Sequence, residues 1–166
     1  MTWLIVLLAI VVVAAVAFVL WQRPSSALKR RFGPEYDRVL EELGDRRAAE
    51  SELRTRAQRV DSLELRELTP EERDHYADRW REVQSHFVDD PHKTVAEAHA
   101  LVGELMRERG YPLDGIDERI ALMSVDHPDL AEHYRVAYRI QSRDETATID
   151  DLRRAFQCYR AVFTAL

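Results

Sequence analysis

An all-α protein held by one N-terminal transmembrane helix is what this sequence predicts, and three observations predict it. From Leu4 to Leu20 every residue is Leu, Ile, Val, Ala or Phe, and no charged side chain precedes Arg23. Beyond that point the chain carries all its 24 basic and 30 acidic residues, with apolar positions recurring at intervals of three and four. Nowhere outside the first stretch is there a period-two alternation or a hairpin turn pair, so β structure has no sequence support. The predicted organisation is a transmembrane anchor over residues 1–22, a basic juxtamembrane linker over 23–33, a long charged helical stalk over 34–63, and a compact helical bundle of four to five helices over 64–166.

The anchor comes first. At about 1.5 Å per residue, the step from Trp3 to Trp21 covers roughly 27 Å, close to the hydrocarbon thickness of a bilayer. It also places an indole at each interface, the position that amphipathic aromatic rings prefer. A cleaved secretory signal is the competing expectation, because Ala15-Val16-Ala17 has the small-x-small pattern of a cleavage site. Against it, the chain opens with Met-Thr-Trp rather than with a basic n-region. Orientation follows from the flanks: Arg23, Lys29, Arg30, Arg31 and Arg38 all lie on the C-terminal side. Basic residues near a span tend to stay in the cytoplasm. The expected location is therefore the cell (inner) membrane, single-pass, N-terminus outside and body cytoplasmic, with an exported helical protein as the alternative. Trp3, Trp21, Arg23, Lys29, Arg30 and Arg31 are the expected membrane-interface residues, the basic ones facing anionic headgroups.

The stalk is rich in Glu, Arg, Ala and Leu, with i,i+4 pairs such as Glu42 with Arg46, Glu50 with Arg54 and Glu52 with Arg56. Such pairs support a solvated helix. Its seam of Val39, Leu43, Arg46, Glu50, Leu53, Ala57 and Val60 has alternating four-three spacing but charges in two middle places, so any self-association through it is expected to be weak. A straight helix there would be about 40 Å long, with Gly44 as its one interruption and the place where it would bend.

The bundle opens at Thr69-Pro70-Glu71-Glu72, a capping box with proline in the first turn. The helix that follows aligns Tyr76, Trp80, Val83 and Phe87 to about Val88. Asp89-Asp90-Pro91 starts the next, with Val95, Ala98, Val102, Leu105 and Met106 inward and Gly110 in the C-terminal cap position. Ile116 to Met123 forms a short helix, and Pro128 to about Ser142 another. This last one carries two apolar stripes, Leu130, Tyr134 and Tyr138 on one and Val136 and Ile140 on the other, which suggests a central helix touched on both sides. Thr148 caps a final helix with the seam Leu152, Phe156, Tyr159, Phe163 and Leu166.

The chemistry is sparse. A net charge of −6 argues against a nucleic-acid binder. Five Gly in the chain leave no phosphate-cradling loop. Glu-x-x-His occurs once, at Glu72 and His75, where a di-iron bundle needs two copies. His99 falls beside the apolar stripe of its helix and reads as a hydrogen-bonded core histidine. The lone Cys158 excludes an internal disulfide and reads as a small buried hydrophobe. The densest polar constellation is Asp126, His127, Asp129 and His133, in which Asp129 and His133 share a face at i,i+4. A carboxylate beside an imidazole is the arrangement that orients a general base; helix capping with a solvent-facing pair is the simpler reading. No cofactor or metal is expected. The expected partners are the lipid bilayer and another protein.

Segments of the chain also carry a resemblance: Leu68-Thr69-Pro70-Glu71-Glu72-Arg73 through Trp80, Phe87-Val88-Asp89-Asp90-Pro91, Met106-Arg107-Glu108-Arg109-Gly110-Tyr111-Pro112, and Ser124-Val125-Asp126-His127-Pro128. Together, over most of residues 30–166, they resemble a group of uncharacterised bacterial proteins, frequent in actinobacteria, with one N-terminal span. The resemblance implies architecture and bacterial origin and transfers no functional residue. A membrane-tethered helical interaction or scaffold module is the leading functional expectation. A small-molecule- or metal-binding enzyme domain built on Asp126 to His133 is the alternative.

Overall fold

The structure, a computed structural model, describes residues 3, 12, 26–112, 115–143 and 146–166. The predicted anchor over 1–22, with Trp21 and Arg23 at its edge, lies outside the described residues except for Trp3 and Val12, both helical and exposed. Among the described residues no helix is long and apolar enough to cross a membrane. The fold is all-α, with no strand among the described residues. The chain divides into two compact units, Met1–Thr55 and Arg56–Leu166.

In the first unit residues 26–32 are helical, and helix α1 (Pro34–Leu43) follows a single turn residue, Gly33. Gly44 then takes a left-handed φ of 65° and donates its N–H to the Leu40 carbonyl at 2.9 Å, ending α1. Such a conformation suits glycine because it has no Cβ to clash. Asp45 restarts the chain by accepting the Ala48 N–H at 2.8 Å, and α2 (Arg46–Asp61) follows, crossing from the first unit into the second.

The Tyr36 hydroxyl donates to Glu50 Oε1 at 3.2 Å. In one straight helix those residues would stand about 20 Å apart. The stalk expected over 34–63 is therefore not a rod of 40 Å; its first half doubles back at Gly44. Phe32, Tyr36, Val39, Ala49 and Leu53 are all buried. Glu50, buried on the same face, is held by Arg46 Nε and Arg54 Nη2, each at 2.9 Å. The charged places that weakened the expected seam thus serve an internal contact, and of its aliphatic residues only Leu43 is exposed.

The second unit holds the end of α2 and five further helices: α3 (Pro70–Ser85), α4 (Pro91–Glu108), α5 (Ile116–Met123), α6 (Pro128–Gln141) and α7 (Ile149–Ala165). Their starts follow from capping. Thr69 Oγ1 accepts the Glu72 N–H at 3.2 Å while the Glu72 carboxylate accepts the Thr69 N–H at 2.9 Å. Thr148 and Asp151 repeat that reciprocal box ahead of α7, and Asp90 accepts the Lys93 N–H at 3.0 Å ahead of α4. Each box satisfies donors that a helix start leaves without partners. The helix expected to reach Val88 stops at Ser85, and His86–Val88 continue as a 3-10 turn.

The irregular stretch before α3 is tied down by arginine. Arg66 grips the Glu72 carboxylate through two nitrogens at 2.7 and 2.8 Å and also pairs with Glu108. The Arg66 N–H donates to the Arg109 carbonyl at 3.1 Å, and Arg109 Nε returns a bond to the Arg66 carbonyl at 3.1 Å. Arg59 at the end of α2 pairs with Glu118 on α5. Gly110, at φ 95°, lets the two strands of chain approach: a Cβ there would fall 2.8 Å from the Glu64 carbonyl oxygen. Gly110→Ala is expected to destabilise the fold by about 1–2 kcal/mol, the usual cost of left-handed backbone for an L-residue, with the backbone clash in addition. Chemical unfolding of the variant beside wild type measures it.

The core lies among α3, α4, α6 and α7, and α7 is its central element, packed most closely on α6 and then on α4. The helix expected to be touched on both sides, α6, packs on α7, on α5 and on α4. The buried stripe of α6 is single: Ala131, Tyr134, Ala137 and Ile140, with Val136 and Leu130 half-buried and Tyr138 at the surface. The alanines explain the difference. Ala131, Ala137 and Ala155 are 0% exposed, so the backbones of α6 and α7 approach closely where a count of large side chains sees nothing. Trp80 joins α3 to α7 by stacking on Phe156 at 5.1 Å and Phe163 at 4.6 Å, while Phe87 meets Phe156 at 5.2 Å.

Candidate functional site

The constellation singled out in the sequence lies at the surface. Asp126, His127, Asp129 and His133 are all exposed. His127 is the residue before α6; its backbone carbonyl accepts the Ala131 N–H at 3.0 Å, and its side chain makes no capping bond. The preceding Ser124 and Val125 are both 0% exposed, with Ser124 Oγ donating to the Ala121 carbonyl at 2.6 Å. This segment is a tight helix connector whose polar half faces water. His127→Gln is expected to change stability by less than about 1 kcal/mol, as ordinary surface substitutions do; thermal unfolding reports it. Lys29, Arg30 and Arg31 are exposed on the helix over 26–32, with Lys29 Nζ 3.3 Å from Asp37 and over the Tyr36 ring at 5.3 Å. Among the described residues no three His, Cys, Asp or Glu side chains are grouped as metal ligands. Cys158 is half-buried, and burial pushes its thiol pKa up, which suppresses the reactive thiolate.

A different group of polar side chains converges where four helices meet. His99 comes from α4, Arg119 from α5, Tyr134, Tyr138 and Gln141 from α6, and Tyr159 from α7. Tyr134 and Tyr159 are 0% exposed and form the floor. His99, Gly103, Arg119 and Gln141 are half-buried, and Tyr138 is open to solvent. The His99 ring lies 5.9, 5.6 and 5.6 Å from those of Tyr134, Tyr138 and Tyr159, and the Tyr134 and Tyr159 rings meet edge-on at 5.8 Å.

The hydrogen bonds set the protonation states. The Tyr159 hydroxyl donates to Gln141 Oε1 at 2.7 Å, so its oxygen is left to accept from His99 Nδ1–H at 3.2 Å. The ring proton then sits on Nδ1, and in the neutral ring Nε2 carries the lone pair. Burial, and secondly the charge of Arg119, hold the His99 pKa below its ordinary value. Burial raises the Tyr134 and Tyr159 hydroxyls above the ordinary phenol, so both stay protonated.

Arg119 is the unusual member. Among the described residues its guanidinium makes one hydrogen bond, from Nη1 to the Tyr134 hydroxyl at 3.4 Å, at the long limit for such bonds, and its Nε is buried without a partner. No carboxylate among the described residues pairs with it. Gly103, in the interior of α4, makes room for it: a Cβ there would stand 3.0 Å from Nη1. The cluster therefore combines a cation, phenolic hydroxyls, an imidazole and one exposed aromatic ring, Tyr138. It is equipped to hold a polar ligand rather than to attack one.

Two grooves flank α4 elsewhere. One, of about 240 Å³, is lined by Arg79, Glu82, His86, Glu97 and Glu104; Arg79 pairs with Glu104 at 2.5 Å, and His86 Nδ1 lies 3.0 Å from the Glu97 carboxylate. The other, of about 350 Å³, runs along Leu68, Tyr76, Leu105 and Phe163. Sequence reasoning read His99 as a core histidine and did not assemble its neighbours, because they span positions 99 to 159 on four helices. Two local signals existed: a glycine four residues after the histidine on a helix, and the Tyr134, Tyr138 pair at i,i+4. No protein-family model, curated protein or solved structure matches this chain.

Proposed function

We propose that this chain is a single-pass membrane protein whose helical bundle is presented on the cytoplasmic side as an interaction module. The observation that carries the reading is the apolar run from Leu4 to Leu20, with Trp3 and Trp21 at its ends. The cluster of Arg23, Lys29, Arg30, Arg31 and Arg38 beyond it supports the orientation. A charged, exposed helical body joined to such a run suits a tethered scaffold more than a diffusible protein.

Alkaline extraction of membranes tests the anchor. The full chain is expected to stay with the membrane pellet, and the chain lacking residues 1–22 is expected to leave it. Release of the full chain by carbonate, or a mature N-terminus at Phe18, would sink the anchor. A reporter after Leu166 tests the orientation: a fluorescent fusion is expected to glow and an alkaline phosphatase fusion to stay silent, and the reverse overturns it. Cross-linking and pulldown from native membranes, in which no protein is enriched with the full chain over the anchor alone, would argue against an interaction module.

A further inference from the structure

We propose that the half-buried cluster of His99, Gly103, Arg119, Tyr134 and Tyr138 binds a carboxylate on the guanidinium of Arg119. This goes beyond the membrane-module reading and does not rest on it, since every residue of the cluster lies in the second unit, far along the chain from the N-terminal run.

The argument starts from Arg119. A guanidinium withdrawn from water without a counter-ion is costly, and half-buried arginines are ordinarily paired with a carboxylate. Here, among the described residues, the side chain bonds only to an uncharged phenol at 3.4 Å, and Nε has no partner. The chain also accepts a glycine in the interior of α4, a helix-weakening choice, and the side chain lying over it is this guanidinium. The space is thus shaped around a cation whose hydrogen-bonding capacity is unused. An incoming carboxylate takes two parallel N–H···O bonds from the guanidinium fork, the arrangement in which arginine binds most strongly.

The surroundings narrow the class. Among the described residues Arg119 is the one charged group acting on the neutral imidazole, so the site offers one positive charge and matches a monoanion; a phosphate dianion would be left half-neutralised. Tyr138 is exposed and its ring lies 5.6 Å from that of His99, an aromatic neighbourhood that favours a carboxylate carried on a flat or apolar group. The carboxylate belongs either to a free small molecule or to an acidic side chain of another protein, and both present the same group to Arg119.

The site predicts a signature that simple packing would not produce. Arg119 lowers the His99 pKa through its charge. Neutralising that charge with a bound anion raises it, so binding and protonation of His99 assist one another.

The test is an NMR titration of the full-length chain in detergent micelles, following the histidine ring signals, with sodium benzoate as the free carboxylate and a glutamate-bearing peptide amide as the side-chain form. Wild type is expected to bind at least one of them saturably, with a Kd on the order of 1 mM, and to show an upward shift of the His99 pKa at saturation. Tighter benzoate assigns the site to a free ligand; a tighter peptide assigns it to a protein side chain. Arg119→Gln is expected to weaken binding at least tenfold and Gly103→Ala several-fold, the latter because the added methyl displaces the guanidinium. Arg119→Lys, which keeps the charge and loses the fork, covers the case in which Arg119→Gln fails to fold, and is also expected to weaken binding. Absence of saturable binding by both probes, equal binding by the folded Arg119 variants, or binding with no movement of the His99 pKa would overturn the proposal.

Discussion

Trp80→Ala lowers the unfolding free energy by about 3–5 kcal/mol, the range for emptying a buried aromatic site. The indole is 6% exposed and stacks on Phe156 and Phe163, with an interplanar angle of 22° for each. Its removal therefore uncouples α3 from α7 as well as leaving a void. Aromatic pairs contribute about 0.5–1.5 kcal/mol beyond the area they bury, and two are lost together. One feature moderates the loss: Trp80 Nε1 is buried without a partner, a cost to the native state that alanine removes. Denaturant unfolding followed by far-UV circular dichroism gives the number. A loss under about 1 kcal/mol would mean that the α3 face from Tyr76 to Phe87 is not part of the core.

Tyr159→Phe is expected to cost about 1–3 kcal/mol, because the hydroxyl is the only link between His99 Nδ1 and Gln141 Oε1 and its loss strands both in a partly dry site. The same cluster makes stability depend on pH. His99 faces Tyr134 and Tyr138 on α6, Tyr159 on α7 and the charge of Arg119 on α5. None of these can neutralise an imidazolium. Its folded pKa is lowered, so on acidification the unfolded chain takes up the proton first, near the ordinary histidine value of about 6.5. Stability is full above that pH and declines as pH falls from there toward the folded pKa.

The carboxylates act in a lower window. Arg66 lowers Glu72 to about 2, and His86, Arg79 and Thr148 lower Glu97, Glu104 and Asp151. Their contribution is lost only below the ordinary carboxylate range, about pH 4.5. Unfolding at a series of pH values separates the two windows: His99→Gln is expected to flatten the upper step and leave the lower one. A wild-type stability that is level from pH 7.5 to about 5 would show that His99 takes up a proton without penalty.

What could be read along the chain was what neighbouring residues decide among themselves. Thr69 with Glu72, Asp90 with Lys93 and Thr148 with Asp151 each close a helix start within three residues, so the sequence sufficed to place α3, α4 and α7. Tyr76 and Trp80 could be put on the inner face because helical spacing alone aligns them, and Gly110 after α4 because its neighbours demand a positive φ. The all-α class itself needed only the absence of period-two alternation. The remaining features were decided by groups far apart in sequence. Gly44 permits a turn, but the reversal shows only in the Tyr36–Glu50 bond. Ala131, Ala137 and Ala155 have almost no hydrophobic signal, yet by yielding space they let α6 and α7 form the most extensive helix pair of the bundle. The His99–Arg119 cluster takes side chains from four helices. Capping energies are local and act within a turn, whereas close approach between helices and the pairing of half-buried polar groups are set only when distant segments meet, and that meeting is a property of the tertiary structure.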